Sequence, residues 1–407
     1  MNSSVPTEWI TDELARFCDI VGGGTPDRAV HEYWGGKIPW VSPTEVTSLV
    51  SKYISKTKEG LTQLGLDKSS AKLHPPGTLL MTSRASIGYV AINTVPMATN
   101  QGFQSLRCKD GALADYMYQY ITWVRPELER LSAGSTFSEI SSVNVKRLRV
   151  RLPPLPEQQK IATILSSVDE VIEKTRAQID KLKDLKTGMM QELLTKGIGH
   201  TEFKDSPVGR IPADWKALRV SEFLVERKQK GTGDLPIYSV LMNGGMVPRS
   251  TVERRVPSAL ETSDNRLVRK GDLAYNMMRM WQGASGVAPV DCLVSPAYVV
   301  CTPSENIDSC FLGYLMKNPS SIQILKQYSQ GLTGDRLRLY FDSFKQIILP
   351  IPPIAEQRKI ALALNATDSV IREKISQLAA REKFKKAIMQ DLLTGKVRVN
   401  LNESTVI

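Results

Sequence analysis

The 407-residue sequence predicts an α+β protein in which two segments of mixed strands and helices are each followed by a long helix. The first observation is a phrase that occurs twice, "LPPLPEQQKIATIL" at 152–165 and "IPPIAEQRKIALAL" at 351–364. The second is the pattern before each copy, where short apolar runs are bounded by glycine and proline, as β-strands are. We therefore expect a chain built as two similar halves.

The repeated phrase opens a longer repeat that predicts two matched helices. At an offset of 199 residues, 18 of the 44 positions from 152 to 195 are identical to their partners in 351–394. Apolar residues recur at alternating steps of four and three, which is the heptad pattern of helices that pair along one seam. Helices of about 40 residues would be about 60 Å long. The predicted seam residues are Ile161, Leu165, Val168, Ile172, Ile179, Leu182, Met189, Leu193, Ile360, Leu364, Ile371, Leu378, Ile388 and Leu392.

Some positions on this seam are polar. They form either a solvated flank of the helices or a set of contacts that fixes the register of the pair. The sequence leaves both interpretations open. The positions are Thr175, Lys186, Thr367, Lys374, Arg381 and Lys385.

The segments before the helices, 1–151 and 200–348, repeat each other only faintly. Trp9 aligns with Trp215 in a similar context. The strings "PPGTLLMTSRASIGYVAI" and "RKGDLAYNMMRMWQGASGVAPV" share a pattern of glycine turn, short apolar strand, polar tip and second strand. Residues 200–215, which contain several glycines and prolines, are predicted to be a linker between the halves.

Composition narrows the class of protein. No apolar run approaches the roughly 18 residues that span a bilayer, and the first residues lack the apolar stretch of a secretory signal. Five scattered cysteines without a CxxC pair predict reduced thiols in a cytoplasmic protein, not a disulfide framework or a zinc site.

The charge distribution suggests an anionic partner. The net charge is +11, divided as +3 in 1–152, zero in 153–199, +4 in 200–348 and +4 in 349–407. Charge spread over both halves favours two folded surfaces that contact phosphate over one basic tail. A basic protein without such a partner is the alternative that charge alone leaves open.

The sequence contains no recognisable catalytic motif. The phosphate-binding pattern GxxxxGK[ST] is absent, and we interpret Gly22–Gly24 as a turn. The histidines His31, His74 and His200 are far apart and lack metal-ligand spacing. There is no GxSxG, and "HPPG" lacks both the polar residue and the aromatic residue of the adenine methyltransferase motif. We expect neither a metal nor a catalytic residue on this chain.

These motifs together carry a resemblance to a known family. Two "PPL/I-x-EQ-x-KIA" helices, each closing a segment of about 150 residues, resemble the specificity subunit (HsdS) of type I restriction-modification systems. The strings "YWGGKIPWVSPTEV", "TSRASIGYVAI" and "NQGFQSLRC" are similar to the first target recognition domain of that family. "LAYNMMRMWQGASGV" and "LVSPAYVV" are similar to another version of the same domain. The resemblance covers essentially the whole chain.

The resemblance implies an architecture and a division of labour. It places target recognition domain 1 at 1–151, a central helix at 152–199, domain 2 at 200–348, and a distal helix with a tail at 349–407. In the family each domain binds one half of a bipartite DNA target, and the helices pair as an antiparallel coiled coil with pseudo-two-fold symmetry. Two methyltransferase subunits dock on the coiled coil, and restriction subunits join through them. This chain would then be non-catalytic, with S-adenosylmethionine on the methyltransferase subunits and ATP and Mg on the restriction subunits.

The predicted helix length agrees with such a target. Half-sites one helical turn of DNA apart lie about 34 Å from each other, and a helix of about 60 Å is long enough to hold two domains there. We therefore expect helix length to set the spacer of the DNA target.

Candidate DNA contacts follow from side-chain chemistry, because Arg, Asn and Gln contact base edges while Lys, Arg and hydroxyls contact phosphates. Arg84 and Arg279 occupy equivalent strand tips and are the main candidates, and Ser135 and Ser138 are weaker ones. The alternative for any of them is a solvated or core-packing side chain, above all for Trp281. The candidates are Lys37, Trp40, Ser42, Lys52, Lys56, Lys58, Ser83, Arg84, Asn100 and Gln101 in domain 1, and Arg249, Arg254, Arg255, Asn276, Arg279, Trp281, Gln282, Arg336 and Arg338 in domain 2.

Two other classes of protein remain as alternatives. A stand-alone DNA-modifying enzyme is disfavoured by the missing motifs. A coiled-coil adaptor that binds other proteins would lack the steep salt dependence that phosphate contacts give to DNA affinity.

Overall fold

The computed structural model describes residues 6–132, 138–231, 234–242, 244–252, 264–331, 333–334 and 336–401. The chain forms two compact units. Unit 1 contains Met1–Gln178 and Lys374–Ile407, and unit 2 contains Ile179–Glu373. Each unit therefore combines one of the two strand-rich segments with parts of both long helices.

The elements follow the order that the sequence predicts, with strands and short helices before each long helix. The first half contains β1 (Ile10–Glu13), α1 (Leu14–Phe17), β2 (Cys18–Gly22), β3 (Trp34–Val41), α2 (Pro43–Thr47), β4 (Tyr53–Ile54), β5 (Glu59–Leu61), α3 (Gln63–Asp67), β6 (Leu73–His74), β7 (Leu79–Met81), β8 (Val90–Asn93), β9 (Met97–Thr99), β10 (Gln104–Cys108), α4 (Ala114–Trp123), α5 (Arg125–Leu131), α6 (Ser142–Lys146), β11 (Arg149–Leu152) and α7 (Leu155–Leu193).

The second half has the same general order. It contains β12 (Phe203–Ser206), β13 (Gly209–Pro212), β14 (Lys216–Arg219), β15 (Leu224–Glu226), β16 (Tyr238–Leu241), β17 (Gly245–Pro248), β18 (Arg266–Val268), β19 (Leu273–Asn276), β20 (Ser285–Val287), β21 (Cys292–Val294), β22 (Tyr298–Pro303), α8 (Ser309–Leu315), α9 (Pro319–Gln327), α10 (Phe341–Phe344), β23 (Ile348–Ile351) and α11 (Ile354–Leu393).

Unit 1 is built on two sheets and the helix pair. One sheet has the strand order β2-β10-β7-β8-β4, the other has β5-β3-β9-β6, and β1 pairs antiparallel with β11. The main core joins Leu106 of β10, Tyr116 of α4, Ile161 of α7 and Leu392 of α11. Because one hydrophobic core contains all four elements, the start of α7 and the end of α11 belong to this unit.

Unit 2 repeats the central strand order of unit 1. Its main sheet has the order β15-β22-β19-β20, which corresponds to β2-β10-β7-β8. The hairpins β7–β8 and β19–β20 contain the two strings that the sequence matched, so the faint repeat is confirmed. The core joins Tyr275 of β19, Phe311 of α8, Leu194 just after α7 and Ile360 of α11.

The predicted linker at 200–215 is wrong, because this stretch is folded. Strands β12 and β13 form an antiparallel hairpin in which Phe203 pairs with Pro212. Its turn includes Gly209, whose φ of 94° is a conformation that favours glycine. Trp215, which follows the hairpin, is fully buried. The glycines and prolines of this stretch therefore form a turn and strand ends in unit 2.

Both long helices are present, and the fold class is confirmed. Helix α7 has 39 residues and α11 has 40, and each begins one residue after a Pro-Pro pair. In unit 1, Asp169 and Arg176 of α7 contact Lys385 and Glu382 of α11, respectively. Since rising numbers in α7 meet falling numbers in α11, the two helices are antiparallel within this unit.

The predicted seam residues are shielded from solvent, as a seam between paired helices requires. None of the fourteen predicted residues is exposed. Ile161, Leu165, Ile172, Ile179, Ile360, Leu364, Ile371 and Leu392 are buried, and Val168, Leu182, Met189, Leu193, Leu378 and Ile388 are half-buried. The pseudo-two-fold relation between the halves stays a prediction.

Candidate nucleic-acid interface

In unit 1 the repeated Glu-Gln pair joins the strand-rich segment to the helix α7. The buried carboxylate of Glu157 accepts a hydrogen bond of 3.0 Å from the indole of Trp9, and Arg398 donates to it at 2.7 Å. The fully buried amide of Gln158 accepts from the backbone N–H of Leu113 and donates to two backbone carbonyls, each at 2.8 Å. Every polar group of the Glu157 and Gln158 side chains has a hydrogen-bond partner. The repeated phrase is therefore a structural joint between the strand-rich segment and the helix α7.

Unit 2 builds the same joint from the second copy. The carboxylate of Glu356 accepts from the indole of Trp215 at 3.1 Å, and His200 lies 2.9 Å from it. The amide of Gln357 accepts from the N–H of Asp308 at 2.9 Å and donates to two carbonyls. The alignment of Trp9 with Trp215 thus has a physical cause, because each buried indole N–H needs an acceptor.

A second repeated contact lies further along the helices. In unit 1 the carboxylate of Asp169 on α7 accepts from Gln119 of α4 at 2.8 Å and pairs with Lys385 of α11 at 2.5 Å. One side chain therefore connects the strand-rich segment to both helices.

The equivalent contact in unit 2 uses the residues that correspond to Asp169 and Lys385 at the 199-residue offset. The carboxylate of Asp368 on α11 pairs with Lys186 of α7 at 2.7 Å and accepts from the hydroxyl of Tyr314 at 2.7 Å. Burial, and next the hydrogen bond to Asp368, raise the pKa of Tyr314, so this hydroxyl stays a donor. Two of the polar seam positions are thus ion-paired in place of being solvated.

Other polar seam positions also have partners. The guanidinium of Arg381 donates to the hydroxyl of Thr175 in unit 1. The hydroxyl of Thr367 lies 3.6 Å from the sulfur of Met189 in unit 2. These contacts favour register control over a solvated flank.

Unit 1 carries a concave surface where several predicted DNA contacts meet. The cavity, of about 260 Å³, is lined by Arg84, Asn100 and Gln101, together with residues of α2 and the β7–β8 loop. The loop is fixed by backbone hydrogen bonds, in which the N–H of Ser83 donates to Gly102 and the N–H of Ala85 to Ser138. The surface therefore presents a guanidinium and two amides, the groups that contact base edges.

Each of these three side chains has one local contact. The Arg84 Nε lies 2.9 Å from a carboxylate oxygen of Glu139. The amide oxygen of Asn100 accepts from the N–H of Gly102 at 2.8 Å, and Gln101 contacts the hydroxyl of Thr25.

Four predicted contacts of unit 1 are buried or make contacts within the protein, which disfavours a role in DNA binding. Trp40 is 3% exposed and its indole donates to a backbone carbonyl, and Ser83 is fully buried. The amine of Lys52 pairs with Asp115 at 2.5 Å and also donates to α7. The hydroxyl of Ser42 donates to Glu45 at the start of α2. The exposed lysines Lys37, Lys56 and Lys58 stay predictions.

Unit 2 places a second group of predicted contacts in the β19–β20 loop. Arg279 is exposed, and its guanidinium lies 3.3 Å from the amide oxygen of Gln282. Asn276 accepts from a backbone N–H within the same loop. The Trp281 ring is half-buried and lies 5.8 Å from the amine of Lys326, so it is not a core residue.

The segment before α10 lies beside this loop. The N–H of Leu339 donates to the carbonyl of Met277 at 2.9 Å, which brings the exposed Arg338 next to the loop. Arg336 is also exposed, and Arg249 lies in a short 3-10 turn. The predicted contacts Arg254 and Arg255, like Ser135 of unit 1, lie outside the described residues.

Sequence analysis missed residues that share these surfaces. Thr44, Thr47 and Ser86 line the concavity of unit 1, and Glu139 contacts Arg84. The sequence could have indicated Glu139, because at the 199-residue offset it aligns with Arg338, which is a predicted DNA contact.

The described residues offer no metal centre. They contain no group of His, Cys, Asp or Glu side chains that could hold a metal ion. Burial and the charge of Arg107 lower the pKa of His74 to about 4, so its imidazole is neutral. Within the described parts of the chain, no helix is long and apolar enough to cross a membrane.

Comparison with known families defines the class. The family model described as "Type I restriction modification DNA specificity domain" matches residues 6–184 and 212–380. Each match covers one strand-rich segment and part of a long helix. The chain belongs to this family, that of type I restriction-modification specificity subunits.

Individual relatives and a solved structure agree with this family. The chain is 29% identical to the type I restriction enzyme MjaIX specificity subunit of Methanocaldococcus jannaschii, over 97% of this chain and 95% of that protein. It is 29% identical to the EcoR124I/EcoR124II specificity subunit of Escherichia coli over 40% of this chain and 41% of that protein. The solved S subunit of M. genitalium has the same fold, with a TM-score of 0.57, 15% identity and 97% coverage of both chains.

Proposed function

We propose that this chain is the subunit that gives a type I restriction-modification enzyme its DNA sequence specificity, with each strand-rich segment binding one half of a bipartite target. The observation that carries the proposal is the duplicated hairpin loop with an exposed arginine, Arg84 in unit 1 and Arg279 in unit 2. The two strand-rich segments share a strand order but differ in their loop residues, as is expected of two domains that recognise different bases.

The helix pair is proposed to set the distance between half-sites. A helix of 39 residues is about 58 Å long, which exceeds the roughly 34 Å between half-sites one DNA turn apart. The ion pairs of Asp169 and Asp368 support a fixed register, because each ties one helix to the other within its unit.

The helices are also proposed to dock two methyltransferase subunits. Val171 and Val370 occupy equivalent positions of the repeat, as do Leu185 and Phe384, and all four are exposed apolar side chains. Each unit therefore contains two of these four side chains, which are Val171 and Phe384 in unit 1 and Leu185 and Val370 in unit 2. Exposed apolar groups repeated in this way suit two copies of one partner.

The remaining chemistry is assigned to the partners. The methyltransferase subunits would hold S-adenosylmethionine, and restriction subunits, joined through them, would hold ATP and Mg. The assembly would act in the cytoplasm, where the DNA is.

Salt-dependent DNA binding by the assembled subunits tests this proposal. We expect the logarithm of affinity to fall steeply and linearly with the logarithm of salt concentration, because Lys and Arg contacts release counterions from phosphate. Affinity should also depend on the sequence of both half-sites. A coiled-coil adaptor for proteins would show neither dependence. Methyl transfer by the purified chain alone would instead support a stand-alone enzyme.

A further inference from the structure

We propose that Arg84 contacts a guanine in the first half-site and that Glu139 is the positioning residue that orients its guanidinium. The inference rests on the proposed function and adds the base that this side chain recognises. It starts from the ion pair at the rim of the unit 1 concavity, where the Arg84 Nε lies 2.9 Å from a carboxylate oxygen of Glu139.

The geometry of this pair leaves the outer edge of the guanidinium available. A guanidinium has five N–H donors in a fixed plane. The carboxylate contacts Nε, so the two terminal nitrogens are left for a ligand. The two side chains are 47% and 40% exposed, which places the pair at the surface. A carboxylate held against Nε restricts the rotation of the plane, and this reduces the entropy lost when the fork binds.

Guanine is the base that matches this fork. In the major groove it presents two neighbouring acceptors, O6 and N7, whereas adenine and cytosine present an amino donor. A side chain with donors only is therefore repelled by the amino group of adenine or cytosine. The amides of Asn100 and Gln101 line the same cavity and suit neighbouring base pairs.

The backbone supports a fixed position for Arg84. Its neighbour Ala85 has a φ of 57°, in the left-handed region that alanine rarely adopts. Hydrogen bonds from Ala85 to Ser138 and from Ile140 to Ser83 hold that conformation and bring Glu139 to Arg84. The loop is thus clamped by the same segment that supplies the carboxylate.

Unit 2 lacks this arrangement among its described residues. The position equivalent to Glu139 is Arg338, and the contact of Arg279 is the neutral amide of Gln282. The inference therefore concerns the first half-site alone.

The test uses the chain assembled with its methyltransferase subunits and a target defined by mapping methylated bases in a host that carries the system. Each guanine of the first half-site is replaced in turn by 7-deazaguanine, which lacks the N7 acceptor. For the wild-type complex we expect one replacement to weaken binding about 10-fold. Arg84→Met should bind the natural target more weakly and lose sensitivity to that replacement, because methionine has no hydrogen-bond donor to offer N7.

Glu139→Gln should lower affinity for the target several-fold while leaving affinity for random DNA equal or higher, since a negative charge near phosphate is removed. A purely structural role for Glu139 would lower both affinities together. The matched control is Glu129→Gln, which breaks another Arg Nε–carboxylate contact of 2.9 Å, to Arg125, and should change neither.

A first half-site without guanine, or target binding that no 7-deazaguanine weakens, overturns the inference and leaves the proposed function intact. Equal sensitivity in the Arg84→Met complex also overturns it. If the wild-type complex shows no sequence-dependent binding at all, the proposed function itself fails, and this inference with it.

Discussion

At the scale of single residues, the buried Glu157 is the clearest case in which the structure changes the meaning of a motif. A Glu-Gln pair repeated in a sequence invites a catalytic interpretation. Both carboxylate oxygens of Glu157 accept hydrogen bonds, from Trp9 and Arg398, and the equivalent Glu356 accepts one from Trp215. The pair is repeated because each half of the chain needs the same joint.

Replacing Glu157 by leucine should lower the free energy of unfolding by about 1–3 kcal/mol, because the buried indole N–H of Trp9 loses its acceptor. Denaturant unfolding measures the change. Trp9→Phe in the same chain should reduce the effect of Glu157→Leu, since the unpaired donor is gone. Glu170→Gln, which alters an exposed ion pair, should stay within about 0.5 kcal/mol. If the changes in the free energy of unfolding caused by Trp9→Phe and Glu157→Leu were additive in the double variant, a direct hydrogen bond between the two side chains would be contradicted.

Single residues also show which predicted DNA contacts the sequence could locate and which it could not. Arg84, Asn100 and Gln101 were predicted together and meet in one cavity, because the loop after β7 is hydrogen-bonded to the turn between β9 and β10, from Ser83 to Gly102. Trp40 and Lys52 were predicted to contact DNA, but Trp40 is buried and Lys52 is bonded within unit 1. Their surroundings depend on strands and a helix far away in the chain, which no local pattern reveals.

At the scale of elements, the heptad pattern and the 199-residue offset predicted both long helices. The pattern could not decide the role of the polar seam positions, since a solvated flank and an ion pair look alike in one sequence. The structure pairs Lys385 with Asp169 and Lys186 with Asp368. The predicted linker failed for a related reason, because glycines and prolines also occur in hairpins such as β12–β13.

Replacing Lys385 by methionine should lower the free energy of unfolding by about 1–3 kcal/mol, because Asp169 would remain partly buried without its cation. The reversed pair, Asp169→Lys with Lys385→Asp, should recover part of that loss in urea unfolding. Lys174→Met, at an exposed position, should have an effect near zero. A reversed pair that is less stable than Lys385→Met would contradict a direct ionic contact.

Replacing Phe384 and Leu185 by aspartate should abolish co-purification with the methyltransferase subunits, because each unit then has a charge in its exposed apolar pair. Thermal unfolding of the chain should change little, since both side chains are exposed. Lys383→Asp, on the same helix, is the control and should leave co-purification intact. Normal assembly of the double variant would show that the partners dock elsewhere.

At the scale of the whole molecule, the proposed function assigns DNA recognition to the two strand-rich segments and the spacing between half-sites to the helix pair. The repeat conserves what each half needs to fold, namely the joint, the seam and the strand order. The loops that carry Arg84 and Arg279 differ between the halves, which is expected if each reads different bases. Fold class and family were predictable because they depend on repeated local patterns.

Inserting seven residues after both Gln178 and Gln377 should lengthen the spacer of the DNA target by about three base pairs. One heptad adds about 10 Å of helix and keeps the seam in phase. The spacer is measured by mapping methylated bases in a host that carries the variant. Inserting four residues into α7 alone, which breaks the phase, should abolish methylation. An unchanged spacer in the heptad variant would contradict the role of the helices.

The most direct test of the central claim exchanges residues 1–151 for the first domain of another family member and maps methylated bases across the host genome. If the two strand-rich segments read DNA independently, one half of the methylated target changes to that of the donor. The other half and the spacer stay as they were. A change in both halves, or in neither, would contradict the account.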